Sequence, residues 1–206
     1  MDKVIKKKNE KYQNLISAAY ELFEIKDFVK VSIDDIARKA GVAKGTFYLY
    51  FKDKYDLISK IILRKAAEFF KSEGDVVDID NTNADKFAHE FIYLLIDFLV
   101  RNKTLTLLID KNVHVCVNAV IENREGIIKQ MYDKFLDYFE SKGFSADNVK
   151  VKLYIYIDMI VSSCCNAILR GKPFTLEEIK PHLYEIVTQS INNMTEEDAN
   201  YDSENC

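Results

Sequence analysis

Apolar residues recur at three- and four-residue intervals through most of this chain, and the runs end at glycines, asparagines and one Gly-Lys-Pro. That interval is the repeat of a helix face, and runs of strict alternation are few, so the pattern predicts an all-α protein of about nine helices. After a first apolar helix carrying Ala18, Ala19, Leu22 and Phe23, helices are expected over about 33–40, 43–51, 53–72, 84–101, 103–120, 124–141, 146–170 and 176–193. Asn102, Glu122-Asn123, Gly143 and Gly171-Lys172-Pro173 separate the later ones. The acidic, turn-rich stretch 75–83 reads as a loop, and 194–206, acidic and without a stripe, as a mobile tail.

The stretch 32–51 is the most informative. Ser32 followed by Asp35 is a capping pattern, because the hydroxyl can accept from an early backbone N–H while the acid suits the positive end of the helix dipole. Ile33, Ile36, Ala37 and Ala40 then form one apolar stripe that stops at Gly41, a residue that tolerates the left-handed conformation closing a helix. In a second helix, Phe47 and Phe51 would face inward. Gly45, Thr46, Tyr48 and Leu49 would face out, where long charged side chains are the usual choice. Such a face suits close approach to a polyanion: glycine admits backbone, and the hydroxyls of Thr46, Tyr48 and Tyr50 can donate to phosphate oxygens. Lys44 and Lys54 bracket it with positive charge.

On these residues, 11–58 resemble the DNA-binding domain of the TetR family of transcriptional regulators, in the opening Ser32-Ile33-Asp34-Asp35-Ile36-Ala37 and in the run from Gly41 to Lys54. In that family the recognition segment typically has a Tyr where Tyr48 stands, an aromatic or His at Tyr50, a Phe at Phe51 and a phosphate-binding Lys at Lys54, and all four are present. Ala43 and Leu49 depart from the commonest pattern, which has Ser and a polar or basic residue there; Leu49 either touches a thymine methyl or leaves base reading to its neighbours. The expected DNA-binding set is Ser32, Lys44, Gly45, Thr46, Tyr48, Leu49, Tyr50 and Lys54. The division implied is a reading domain over 1–52 and a helical ligand-binding and dimerisation domain over 53–193, entered by a connecting helix at 53–72. Implied partners are a palindromic double-stranded DNA operator, a second copy of the chain and a small-molecule effector, with repression as the mode of control.

Leu153 to Val161 is apolar on nearly every side, the mark of a helix buried all round. In a chain this small, one face would meet its own core and the other a second subunit. Ser162, Ser163 and Ala167 would permit close approach, and Leu183, Ile186, Val187 and Ile191 give the last helix an apolar stripe; the resemblance assigns the last two long helices to the dimer interface. Thr175 to Glu178 forms a second capping pattern, and Pro181 is expected to kink or restart the helix that follows. Polar or aromatic residues within apolar stretches are the candidates for holding an effector: Tyr93, Asp97, His114, Tyr132, Tyr154 and Asp158.

Charge is divided along the chain. Residues 1–60 hold 13 Lys and Arg against 9 Asp and Glu, a balance of +4, while the remainder holds 16 against 24, or −8, within an overall −4. A basic end on an acidic body concentrates phosphate attraction where the reading motif lies. Lys3, Lys6, Lys7, Lys8 and Lys11 open the chain, as a solubilising tail or as an arm on the DNA backbone. The strongest apolar run, Phe91 to Val100, is too short to span a bilayer and nothing resembles a signal peptide, so a cytoplasmic protein without membrane contact is expected.

The four cysteines have no disulfide spacing, and Cys164 and Cys165, being adjacent, diverge on a helix; reduced thiols are expected, with redox sensing a weaker reading. His114 and Cys116 stand two apart and face different ways, so no metal site is expected, nor a cofactor. Phosphate loops, zinc-protease helices and nucleophile elbows are missing, so no catalytic residue is assigned. A rival reading keeps the fold but makes the chain an architectural or protein-interaction module that uses DNA only for positioning.

Overall fold

The computed structural model describes residues 2–72, 84–123, 125–141 and 144–192. Among them are ten α-helices, a 3-10 turn at Phe28–Lys30 and no strand. The expected loop at 75–83, the tail at 194–206, Gly143 and Cys206 lie outside the described residues. The chain divides into two compact units, residues 1–65 and 66–206.

The first unit contains α1 (Asp2–Ile25), α2 (Ile33–Lys39), α3 (Lys44–Phe47) and the opening turns of α4 (Lys54–Ser72). Leu15, Ile16, Ala18, Ala19, Leu22 and Phe23 are buried on one face of α1. The capping pattern at Ser32 forms: its Oγ accepts from the Asp35 N–H at 3.1 Å and donates to Asp35 Oδ2 at 2.7 Å, while its own N–H donates to that oxygen at 3.2 Å. α2 then closes as a Schellman turn, with Gly41 at φ 69°, its N–H on the Arg38 carbonyl at 3.2 Å and the Val42 N–H on the Ala37 carbonyl at 3.0 Å. α4 starts one residue after Asp53, whose Oδ1 accepts from the N–H groups of Tyr55 and Asp56 at 2.8 and 2.9 Å.

α3 is shorter than the 43–51 helix expected from the pattern. The methyl of Ala43 cannot cap it, Gly45 weakens its interior, and three of the four residues after Phe47 are aromatic, of middling helix propensity. The chain tightens instead, with Leu49 N–H donating to the Thr46 carbonyl at 3.2 Å and Tyr50 N–H to the Phe47 carbonyl at 3.0 Å.

In the second unit, α5 (Ala84–Arg101), α6 (Lys103–Lys111), α7 (Val113–Ile121), α8 (Gly126–Glu140) and α10 (Leu176–Asn192) all pack on α9 (Ala146–Arg170). α9 has the expected bounds and ends at Gly171, φ 61°. By length and composition α9 could cross a bilayer, which the expectation for Phe91 to Val100 overlooked; here it is the central helix of a bundle.

The expected helix over 103–120 is two helices meeting at 99°. Asn112 causes the break: buried, it turns its Nδ2 back to the Leu108 carbonyl at 2.8 Å, and its backbone N–H goes to Ile109 at 2.9 Å instead. Pro181 does not restart the last helix, which is continuous through it and begins at the expected capping box between Thr175 and Glu178. At the other end of α9, Arg170 grips Asp110 with both guanidinium nitrogens, at 2.9 and 2.6 Å, tying α9 to α6.

Candidate DNA-reading surface

The turn from Lys44 to Phe51 is built on two phenylalanines. Phe47 is 0% and Phe51 2% exposed, their rings 5.4 Å apart, and burying a side chain of this size contributes about 1.5–3 kcal/mol. With both anchored inward, the residues between them have to face out: Tyr48 is 52% and Leu49 77% exposed. Gly45 is exposed too, and a Cβ built on it would meet nothing within 4 Å. No packing contact inside the unit therefore requires glycine there.

The polar members of the expected set divide by what they already bind. Lys44 stands exposed on an ion pair with Asp34 at 3.0 Å, and that hydrogen-bonded carboxylate raises its pKa. Thr46 is half-buried. Ser32 is occupied with capping α2. The hydroxyl of Tyr50, expected to donate to phosphate, donates to the Lys8 carbonyl of α1 at 3.0 Å. Lys54 is the largest departure: its Nζ donates to the carbonyls of Phe28 and Val31 at 2.7 and 2.8 Å, and lies 4.1 Å from the centroid of the Phe28 ring. Desolvation on that part-buried site holds its pKa below the usual lysine value.

Sequence reasoning passed over Tyr12. Its ring stacks on Phe51 at 5.3 Å and leans on Tyr50 at 6.0 Å, and burial raises its hydroxyl pKa. The signal was available, because Tyr12 stands on the same α1 stripe as Leu15, Ile16 and Ala19.

In the second unit the six effector candidates do not make one enclosed site. Tyr93, His114 and Tyr154 are exposed, Tyr132 and Asp158 half-buried, and Asp97 is paired with Arg101 one helical turn on, at 2.7 Å. Aromatic and polar residues in an amphipathic helix mark its boundary as readily as its interior, which is why the pattern placed them inward. Among the expected interface residues, Ser162 and Ile186 are exposed and Ser163 half-buried, but Ala167, Leu183 and Val187 are buried within the protomer. The stripe on α10 was read as single, yet Leu183 and Val187 sit one turn apart and face inward, whereas Ile186 lies about 100° round the helix from Val187. The side chain of Ile191 lies outside the described residues.

The three described cysteines, Cys116, Cys164 and Cys165, are buried, and desolvation pushes each thiol up to about 12. They are held as protonated thiols, poor nucleophiles and poor metal ligands.

A short helix pair that closes on a glycine and then exposes an aromatic turn anchored from beneath is the architecture of a helix-turn-helix DNA-binding protein. A sequence model of the bacterial regulatory proteins, tetR family, matches residues 15–61. The chain is 24% identical over 203 residues to the fatty acid metabolism regulator protein of Bacillus subtilis (strain 168), covering 92% of this chain and 100% of that protein. Its fold is similar to that of a TetR-family transcription regulator from Shewanella sp. PV-4, with a TM-score of 0.58 at 16% identity over 87% of this chain and 97% of that one. It is also similar to the transcriptional regulator FadR of Bacillus subtilis solved in complex with stearoyl-CoA, with a TM-score of 0.51 at 18% identity over 86% and 97%. Residues 15–61 thus carry the DNA-binding region of the tetR family of bacterial regulatory proteins, and over most of its length the chain is similar to transcriptional regulators of that type.

Proposed function

We propose that this regulator works in the cytoplasm as a homodimeric repressor, holding a palindromic operator through two copies of the turn 44–51 and releasing it when a small molecule binds. The observation that carries the reading is the exposure of Tyr48 and Leu49 between two fully buried phenylalanines. Tyr48 packs edge-on against Phe47 at 5.4 Å, but about half of its surface and most of Leu49 stay open, where a base edge and a thymine methyl would meet them.

The dimer is supported by an apolar stripe that the protomer leaves open on α9. Val151 and Ile155 are 59% and 52% exposed, with Tyr154 beside them and Ser162 two turns on; Ile186 of α10 is 45% exposed. We assign the reading role to 1–52 and the effector and dimer roles to 53–193, with α4, which carries residues of both units, as the connection. An effector that binds better to the form with wrongly spaced reading turns lowers operator affinity by linkage.

For the effector, a long-chain fatty acyl thioester is the first class to test, since the full-length relative is a fatty acid metabolism regulator and a relative of the same fold was solved with stearoyl-CoA. The test is polarisation of a labelled operator duplex. Tyr48→Ala with Leu49→Ala should abolish sequence preference at unchanged dimer mass, and stearoyl-CoA should displace the wild-type protein. Unchanged preference in the variant contradicts the site; displacement by other small molecules alone contradicts the effector class.

A further inference from the structure

We propose that the basic first turns of α1 are a second DNA-binding element, holding phosphates of the duplex backbone beside the half-site; this rests on the operator-binding reading above. The carrying observation is the hydrogen bond from the Tyr50 hydroxyl to the Lys8 carbonyl at 3.0 Å, across 42 residues of sequence. Tyr12, one turn further along α1, stacks on Phe51 at 5.3 Å. The reading turn and the start of α1 are thus fastened together at two successive turns of the helix, by a hydrogen bond and by a ring stack. α1 is helical from Asp2, so the lysines before Tyr12 belong to a rod fixed against the reading turn.

Residues 5–11 are all exposed and include Lys6, Lys7, Lys8 and Lys11 against one acid, Glu10. These four lysines make no ion pair among the described residues, whereas Arg38, Lys39 and Lys44 are neutralised by Asp35, Glu21 and Asp34. Unpaired cations held in register with a groove-reading element are placed to displace counterions from phosphate. That interaction adds affinity and salt dependence without reading sequence. Tyr50 acts here by positioning α1.

The test uses the full-length protein and its selected duplex, with Kd measured across a salt series. Replacing Lys6, Lys7, Lys8 and Lys11 by Gln, a good helix former, should make the log Kd against log salt slope shallower by about 0.9 for each phosphate that is no longer neutralised, or about 2 or more per protomer. The ranking of operator variants should not change. Tyr50→Phe keeps the ring and removes the donor; it should lose part of the same slope, and lose nothing further in the quadruple-Gln background. A quadruple variant with the wild-type slope on a duplex that both proteins select overturns this proposal alone. A wild-type protein that selects no duplex overturns the operator reading and this proposal with it.

Discussion

The ammonium of Lys54 lies 2.7 Å from the carbonyl of Phe28 and 2.8 Å from that of Val31, so the first residue of α4 fastens the turn through which the chain enters α2. A position that the family pattern marks for phosphate is thereby engaged inside the protein. Lys54→Met should destabilise the first unit by about 1–3 kcal/mol, because two carbonyls lose a charged donor. Urea denaturation measures this. The same variant should leave the salt slope of DNA binding unchanged; a slope smaller by about one unit with no loss of stability would return Lys54 to the phosphate role.

Gly45 offers a cleaner separation of fold from function. Open space surrounds its Cα, and alanine is favoured over glycine within a helix by about 1 kcal/mol. Gly45→Ala should hold or raise the thermal midpoint while weakening operator binding at least tenfold, since on the proposed reading the added methyl would stand where the backbone meets DNA. Equal affinity in the variant would show that the duplex does not approach this residue.

Asn112 should be essential to the bend between α6 and α7. The Leu108 carbonyl receives its Nδ2 in place of the usual backbone partner, so Asn112→Ala leaves a buried acceptor without a donor, at a cost of about 1–3 kcal/mol. Chemical denaturation of the variant measures the loss, and a change below about 0.5 kcal/mol would contradict this account of the break.

Two carboxylates set an acid dependence. Hydrogen bonds from Ser32 hold Asp35 below its ordinary 3.8, and those from Thr175 hold Glu178 below 4.5. With folded values depressed, their contribution is fully present above those ordinary values and is lost as pH falls from there through the lower folded values. Asp35→Asn combined with Glu178→Gln should therefore be less stable than wild type near about pH 6, and the gap should close as the solution is acidified below the ordinary carboxylate values. Urea midpoints over a pH series measure this, and a gap of constant size would contradict it.

Cys116, Cys164 and Cys165 should resist iodoacetamide at neutral pH in the folded protein, because burial keeps their thiols protonated. Peptide mass spectrometry reads each site. Labelling faster than global unfolding at any of the three would revive a redox role.

What the sequence made legible was local. The Ser32 capping box, the Gly41 closure, the inward Phe47 and Phe51 and both ends of α9 rest on residues a few positions apart, where helical period and capping chemistry act directly. The roles of Lys54 and Tyr50 depend on partners 23 to 42 residues away, and a residue-type pattern carries no distance of that kind. Asn112 lay hidden because a polar residue within an apolar helical run fits a solvent-facing position as well as a break. Leu183, Ile186 and Val187 looked like one stripe because a single chain's periodicity does not distinguish a protomer core from a surface between copies.

Selection from a random pool of duplexes by the full-length protein tests the central claim most directly. The account predicts one enriched inverted repeat, with half-sites about one helical turn apart or slightly more, and loss of that enrichment when Tyr48 and Leu49 are both alanine. An unenriched pool, a lone unrepeated site, or the same repeat selected by the double variant would contradict it.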